Sequence, residues 1–325
     1  MTTYPLKFKT IFKDKIWGGQ KIRTYLGKDF SSLPNCGETW EISGVKSDVS
    51  IVENGALAGE SLASLLEKYK GDLVGENVYK RFGNEFPLLV KFIDANDDLS
   101  IQVHPNDVLA KKRHNSFGKT EMWYVIQADE GASLIAGFNQ KVNEGVYLEK
   151  LNSGKLDDIL NKEEVKAGDV FFLPAGRVHT IGKGLLIAEI QQTSDITYRI
   201  YDFDRVDDKG NKRELHTQEA LAALDYEVYP EYKSEYNRKL NEAINVVRCP
   251  YFSTNILEFN HSVDRDYPFD SFVIHVCVEG AYTLTYGDNS LNVRMGDCVL
   301  VPASIKHITL QTNTGFKILE SFIES

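Results

Sequence analysis

The sequence is short of cysteine, of clustered positive charge and of long apolar runs, and each shortage removes a class of protein. Four cysteines are spread over 325 residues, at Cys36, Cys249, Cys277 and Cys298, with no C-x-x-C pair among them. That is too few and too scattered for a disulfide framework. It points to a reducing, cytoplasmic setting in which most of the thiols act as small buried hydrophobes. No stretch approaches about 18 consecutive apolar residues, so no membrane span is expected. The first residues, MTTYPLKFKT, hold no apolar core of signal-peptide length. The net charge is −10, with 37 Lys and Arg against 47 Asp and Glu. No Lys/Arg-rich cluster offsets it, which argues against nucleic acid as a partner. A phosphate on a small substrate would need a local pocket of cations.

What is present is the composition of an ordinary globular protein, 42% hydrophobic and 26% charged, on a chain long enough for two domains. The segments FPLLVKF (86–92), SIQVHP (100–105), EMWYVIQ (121–127), SLIAGF (133–138), VFFLPAG (170–176), GLLIAEIQQ (184–192) and ITYRIYDF (196–203) read as short strands. They are rich in β-branched and aromatic residues and are separated by Gly, Asn, Asp and Pro. Three stretches carry helical spacing: 61–81, with Leu62, Leu65, Leu66, Tyr69 and Leu73 on one face, then 141–160, and 216–224. Residues 204–213 read as an exposed loop and 231–241 as a linker, after which strands return from about Asn245.

One internal repeat organises the chain. GDVFFLPAGRVHTI from Gly168 and GDCVLVPASIKHITL from Gly296 share G-D-x-x-x-x-P-A-x-x-x-H, with the His eleven residues after the Gly. A G-D turn, an apolar strand, a Pro and then a His resembles the second half-motif of the cupin superfamily. That resemblance implies a mainly β fold of two jelly-roll-like antiparallel barrels with a few peripheral helices. The expected domains are 1–240 and 241–325. A cupin match sets fold, not chemistry.

The chemistry comes from side chains outside the repeat core. Gln102 and His104 are two apart in a strand, so they share a face while Ile101 and Val103 take the other. Polar residues in a barrel interior need partners. Glu121 opens the next strand and His179 ends the first repeat. One Gln, two His and one Glu from three strands make an N/O metal set with room for a water or a substrate oxygen. Zinc accepts it, and iron or manganese suits the same donors. A lone His is more often a hydrogen-bonded core or surface residue, which is how His114, His216 and His261 are read. In the second repeat His307 matches His179. Asp270 and Phe272 fall around the position of Glu121, however, and no Q-x-H precedes them. A metal-free second barrel is expected, with His275 and His307 structural.

Three longer segments, FPLLVKFIDANDDLSIQVHPND, GKTEMWYVI and QQTSDITYRIYDFDR, resemble the type I mannose-6-phosphate isomerases in their shorter bacterial form. The resemblance runs over most of the chain, from IWGG near residue 16. It implies one zinc ion per chain on Gln102, His104, Glu121 and His179. The implied reaction moves a proton between C1 and C2 of an open-chain sugar phosphate through an enediolate, interconverting mannose-6-phosphate and fructose-6-phosphate. A catalytic Arg199 and active-site lysines at Lys91 and Lys119 are implied; Lys119 or a zinc-bound water would shuttle the proton, and Asp195 would orient Arg199 or relay a proton. Lys91 and Arg199 are implied to bind substrate, Lys91 at its phosphate. There is one departure: some long members carry a His immediately before the lysine, where this chain has Gly118. Two other readings are compatible with a metal-bearing cupin. A non-haem iron dioxygenase is disfavoured by the added Gln102 and by the cations Lys91, Lys119 and Arg199. A sugar-phosphate-binding bicupin without turnover is disfavoured by the presence of Arg199. A monomer or weak homo-oligomer is expected.

Overall fold

Segments that are apolar toward both faces become central strands, because only a strand covered on both sides can bury them. Leu88–Ala95 and Leu185–Gln192 are buried at every position. In the computed structural model, which describes residues 3–206 and 209–324, they are β3 and β10 of a mainly β protein. The earlier strands are β1 (Ile11–Lys13), β2 (Glu38–Ile42), then β4 (Ile101–Val103), β5 (Glu121–Ala128), β6 (Ser133–Phe138), β7 (Leu160–Glu164), β8 (Val170–Leu173), β9 (His179–Ile181) and β11 (Tyr198–Tyr201). One sheet has the order β1-β2-β3-β10-β5-β8, and a second has the order β11-β4-β9-β6-β7. An apolar cluster joins them, with Ile93, Trp123, Val125, Phe171 and Ile187 from the first sheet and Leu134, Ala136 and Ile181 from the second.

A third sheet uses β12 (Ala243–Arg248), β13 (Ser253–Phe259), β14 (Val263–Asp266), β15 (Val273–Tyr286), β16 (Asn289–Arg294), β17 (Cys298–Val301), β18 (His307–Gln311) and β19 (Phe316–Phe322). Its order is β12-β13-β19-β15-β18-β14, with β16 and β17 both on β15. The long β15 pairs β17 through its first half and β16 through its second, and its register against β19 shifts between Cys277 and Glu279. The G-D repeat has the same cause in both halves. Gly168 and Gly296 each adopt φ +89, a conformation that disfavours any side chain. The following Asp then accepts a hydrogen bond from the backbone three residues back, Lys166 N to Asp169 and Arg294 N to Asp297, each at 3.0 Å.

The two halves share one core. Leu6, Phe8, Ile42, Phe86, Val90 and Phe92 pack in the same cluster as Phe272, Ile274, Val276, Leu300 and Leu319. Leu6 and Leu300 also exchange backbone hydrogen bonds of 2.8 and 2.9 Å.

The helices depart from the sequence pattern where tertiary bonds compete. After α1 (Lys21–Thr24), the continuous helix expected over 61–81 is three pieces, α2 (Leu62–Tyr69), α3 (Gly71–Val74) and α4 (Glu76–Phe82), broken at Lys70 (φ 46) and Gly75 (φ 98). The breaks free α3 carbonyls for the second half of the chain: Asp72 O, Leu73 O and Val74 O accept from Ser304, Ala303 and Phe272. After α5 (Asp107–His114), the 141–160 stretch is α6 (Glu144–Asn152) followed by a separate turn at Leu156–Ile159, and α7 spans Thr217–Ala223. No helix among the described residues is long and apolar enough to cross a membrane. The expected linker 231–241 is tied down: Tyr232 Oη donates to Phe138 O at 2.7 Å, Lys233 pairs with Asp169 at 2.8 Å, and Tyr236 Oη donates to Gly168 O at 2.6 Å. Of the expected loop 204–213, residues 207 and 208 lie outside the described residues. The rest is a hairpin bridged at Val206 and Lys212.

Candidate metal centre and active-site cavity

Two rows of cross-strand neighbours assemble the site. On the first sheet Trp40 lies opposite Lys91, Lys91 opposite Glu189, and Glu189 opposite Trp123. Glu121 precedes Trp123 by two residues and shares its face. On the second sheet Arg199 lies opposite Gln102, and Gln102 opposite His179. His104 follows the end of β4, two residues beyond Gln102.

His104, Glu121 and His179 are all buried and form the one group of potential metal ligands found among the described residues. His104 Nδ1 lies 2.9 Å from Ile196 O and His179 Nδ1 lies 2.8 Å from Arg177 O. Each Nδ1 must therefore carry a proton to donate, which leaves the Nε2 lone pairs free. Those two lone pairs face each other at 3.1 Å. Glu121 Oε2 is 3.5 Å from His104 Nε2, Glu121 Oε1 is 3.3 Å from His179 Nε2, and neither oxygen has a hydrogen bond. Gln102 brings its amide to 3.4 Å from His179 Nε2, and rotation about its last bond presents the oxygen instead. Donors bound about 2.1 Å from one tetrahedral ion sit about 3.4 Å apart, which is the spacing found here. Burial also pushes both imidazoles toward the neutral, ligating form, His104 well down and His179 to about 4. Burial and the Glu189 carboxylate raise Glu121 to about 8. Lone pairs opposed at van der Waals distance and a buried carboxylate with no donor are what a bound cation would relieve. All four sequence-derived ligands are brought together.

Beside this set lies a cavity of about 450 Å³ whose lining includes Lys91, Gln102, Lys119, Asp195 and Arg199. Lys119 is buried with Nζ 3.5 Å from Glu121 Oε2. Lys91 is also buried, as its apolar run implies, but its charge is matched. Nζ lies 3.0 Å from Glu189 Oε2 and 4.0 Å from Glu38 Oε2. Each carboxylate also accepts an indole N–H, from Trp123 and Trp40, at 2.8 Å. Burial opposes ionisation of Glu38, yet Lys91 and then Lys15 outweigh it and hold the carboxyl down at about 2. Arg199 Nη1 donates to Glu214 O at 2.8 Å, its backbone N–H donates to His216 Nδ1 at 3.1 Å, and its buried Nε has no partner. Asp195 is exposed, and no hydrogen bond or ion pair among the described residues joins it to Arg199. The orienting contacts come from Glu214 and His216.

Sequence reasoning missed Glu38, Glu189, Lys13, Lys15 and Arg213, all on the cavity wall. A charge inside an apolar strand is a usable signal for Glu189, in LLIAEIQQ, as it was for Lys91. For the others no local pattern exists. In the second barrel the register corrects one expectation. Leu173 pairs with Glu121 and its repeat mate Val301 pairs with Val273, so Val273, not Asp270 or Phe272, takes the position of Glu121. Asp270 instead accepts from the first amides of α4, Glu76 and Asn77, at 2.8 Å. His307 is exposed and pairs with Asp266 at 2.7 Å, while His275 is buried between Tyr267 and Tyr282.

Gly118, the departure from the long-form pattern, has no space for a side chain. A Cβ there would lie 2.6 Å from Asp107 N and 2.7 Å from the Asn106 carbonyl carbon, both backbone. Gly118→Ala is expected to cost about 1–3 kcal/mol and to lower turnover by displacing Lys119. Thermal melts run beside steady-state rates check both.

Comparison with known proteins gives the family of the chain. A model of the type I phosphomannose isomerase catalytic domain matches residues 6–133, and a model of the mannose-6-phosphate isomerase cupin domain matches residues 242–319. The chain is 36% identical over 319 residues to the mannose-6-phosphate isomerase ManA of Bacillus subtilis, covering 96% of this chain and 97% of that one. It is 38% identical over 310 residues to the mannose-6-phosphate isomerase of Streptococcus mutans, covering 93% of each. The crystal structure of a mannose 6-phosphate isomerase from Bacillus subtilis superposes with a TM-score of 0.88 at 32% identity, over 98% of this chain and 99% of that one. With family models on both halves and relatives matched along nearly its whole length, the chain belongs to the type I phosphomannose isomerase family.

Proposed function

We propose that this protein is a zinc-dependent aldose–ketose isomerase that interconverts mannose-6-phosphate and fructose-6-phosphate through an enediolate. The observation that carries the proposal is the convergence of two Nε2 lone pairs and a buried carboxylate that accepts no hydrogen bond, beside a cavity lined with cations. Gln102, His104, Glu121 and His179 would hold the ion, one per chain. When bound, zinc supplies a Lewis acid that polarises the sugar carbonyl. Arg199, always charged, binds substrate, either against the negative charge that develops on the C1 and C2 oxygens or by a fork onto the phosphate. Lys119, buried on the cavity wall, moves the proton between C1 and C2. Lys91, fixed between Glu189 and Glu38, binds the sugar. Asp195, exposed on the same wall, relays protons to solvent. Residues 1–240 form the catalytic domain and 241–325 the second, metal-free cupin, a division supported by a third sheet drawn only from 243–322. Four unpaired cysteines support a reducing, cytoplasmic setting, and a monomer or weak homo-oligomer is the working form.

The test is a coupled assay for mannose-6-phosphate conversion before chelation, after it, and after zinc is restored. Activity is expected to vanish with the metal and return with zinc. A zinc-loaded protein that leaves mannose-6-phosphate unchanged defeats the proposal. Oxygen uptake with Fe(II) in its place would establish a dioxygenase instead.

A further inference from the structure

The cations on the cavity wall are not equivalent. Lys13 is paired with Asp48, Lys15 with Glu38 at 3.6 Å, Lys91 with Glu189 and Lys119 with Glu121. Among the described residues Arg199 has no carboxylate within ion-pair distance, only the Glu214 carbonyl, and its Nε is unpartnered. Near it on the same wall is Arg213, at the end of the hairpin that leaves β11. Arg213 Nε donates to Asp202 Oδ2 at 2.7 Å, and Nη2 also bonds this carboxylate. Its Nη1 makes no hydrogen bond to a described residue. Asp202 is buried and is shared with Arg205, whose Nη2 donates to Oδ1 at 2.7 Å and which also lies 3.6 Å from Asp97. Asp202 thus fixes one edge of the Arg213 fork, on a residue that lines the cavity. Two guanidinium groups on one cavity wall repel each other, and the Arg213 charge is the neighbour that most opposes the Arg199 charge after burial itself. Asp195, the unpaired carboxylate on this wall, is solvent-exposed, where its field is screened.

We propose that Arg213 is a phosphate-binding residue, and that a phosphomonoester dianion is held between the free donors of Arg199 and Arg213, with Asp202 setting the approach of the hairpin. Planar guanidinium forks suit phosphate oxygens better than the ammonium of a lysine already in an ion pair does. This assigns the phosphate end of the substrate to Arg199 and the hairpin and relieves Lys91 of that part. The inference rests on the proposed sugar-phosphate function, but the binding it describes is measurable without turnover.

Zinc-loaded wild type, Arg213→Gln, Arg213→Lys and, as a control on the same hairpin, Lys212→Ala would be titrated with inorganic phosphate and with mannose-6-phosphate by calorimetry, alongside steady-state kinetics. Lys212 is exposed and pairs with Asp204 rather than lining the cavity. Arg213→Gln is expected to weaken both ligands by about tenfold to a hundredfold and to raise KM by the same factor, with kcat changed by less than about threefold. Arg213→Lys, which keeps the charge but not the fork, should fall between, and Lys212→Ala should match wild type. If Arg213→Gln folds and binds phosphate as wild type does, or if it loses kcat without affinity, the proposal is overturned and Arg213 serves only to tie the hairpin to Asp202. Should Arg213→Gln not fold, Arg213→Lys decides by the same criteria. Arg213-dependent phosphate binding in a protein that does not isomerise mannose-6-phosphate would uphold the anchor and remove the isomerase function.

Discussion

Glu121→Gln is expected to lower turnover by about 10³-fold or more and to empty the metal site, while leaving the metal-free protein at least as stable as the metal-free wild type. The two halves of this result have different causes. Glu121 is the one carboxylate in the ligand set, so its amide loses the charge that the ion most needs. In the metal-free fold the same charge is a burden. Both carboxylate oxygens are buried without a hydrogen bond, and burial together with Glu189 raises the group to about 8. Lys119 is its nearest counter-ion, 3.5 Å away and with no hydrogen bond to it, so the charge is costly to hold in the interior, and the isosteric amide removes that cost without opening a cavity. Zinc should raise the melting temperature of wild type in proportion to ln(1 + [Zn]/Kd) and should not shift that of the variant. Metal analysis, turnover and melts with and without chelator give the answer together. A chelated variant less stable than chelated wild type by more than about 2 kcal/mol would mean that the carboxylate holds the fold by itself, through Lys119, and that the metal reading of this cluster is wrong.

The candidate ligands that the fold brings together were legible because they sit in short segments with a local signal. Gln102 and His104 share a strand face by spacing alone, and His179 is marked by its repeat. The mainly β architecture was legible for the same reason, since strand segments such as EMWYVIQ and GLLIAEIQQ carry their signal within a few residues. What could not be read is whatever depends on register between distant strands. Glu189 meets Lys91 because β10 pairs β3 in one register and no other, and nothing near Glu38 announces that it will close the other side of that lysine. Arg213 reaches the cavity only because a hairpin folds back on Asp202. The misplacement of Glu121's counterpart came from counting along the chain, whereas pairing with the repeat mates Leu173 and Val301 selects Val273. The 61–81 helix failed as a continuous element for a related reason. Its periodicity is correct within each piece, and the breaks at Lys70 and Gly75 serve backbone bonds to residues some 200 positions later.

The register also yields the second large effect. Trp123 pairs with Phe171 and Glu189, and in the other barrel His275 pairs with Val299 and Glu320. Glu320 is therefore the counterpart of Glu189, in a barrel whose counterpart of Glu121 is a valine. It lies at the centre of a closed buried network. Tyr267 Oη is 3.0 Å from Glu320 Oε2 and 2.9 Å from His275 Nε2, His275 Nδ1 is 3.1 Å from Tyr282 Oη, and Arg265 Nη2 is 2.6 Å from Glu320 Oε1. Burial alone would raise this carboxyl, but His275, with Nε2 3.8 Å from Oε2, and the charge of Arg265 outweigh it and bring the group down to about 2. Glu320→Ala leaves the Arg265 guanidinium and the buried Tyr267 phenol without their shared acceptor. It is expected to cost about 3–5 kcal/mol, with zinc content per folded chain unchanged. Glu320→Gln, which keeps the volume and one acceptor, should cost less. The sign of the pH dependence follows from the depressed pKa. The contribution is complete above the ordinary carboxyl value of 4.5 and is lost as pH falls toward about 2. The stability gap between wild type and Glu320→Ala should thus be constant from pH 7 to about 5 and should narrow by pH 3. Urea melts of both proteins at these pH values test it. A gap that stays the same at pH 3, or one below about 1 kcal/mol at pH 7, would show that Arg265 and His275 find other partners and that the network does not hold the second barrel together.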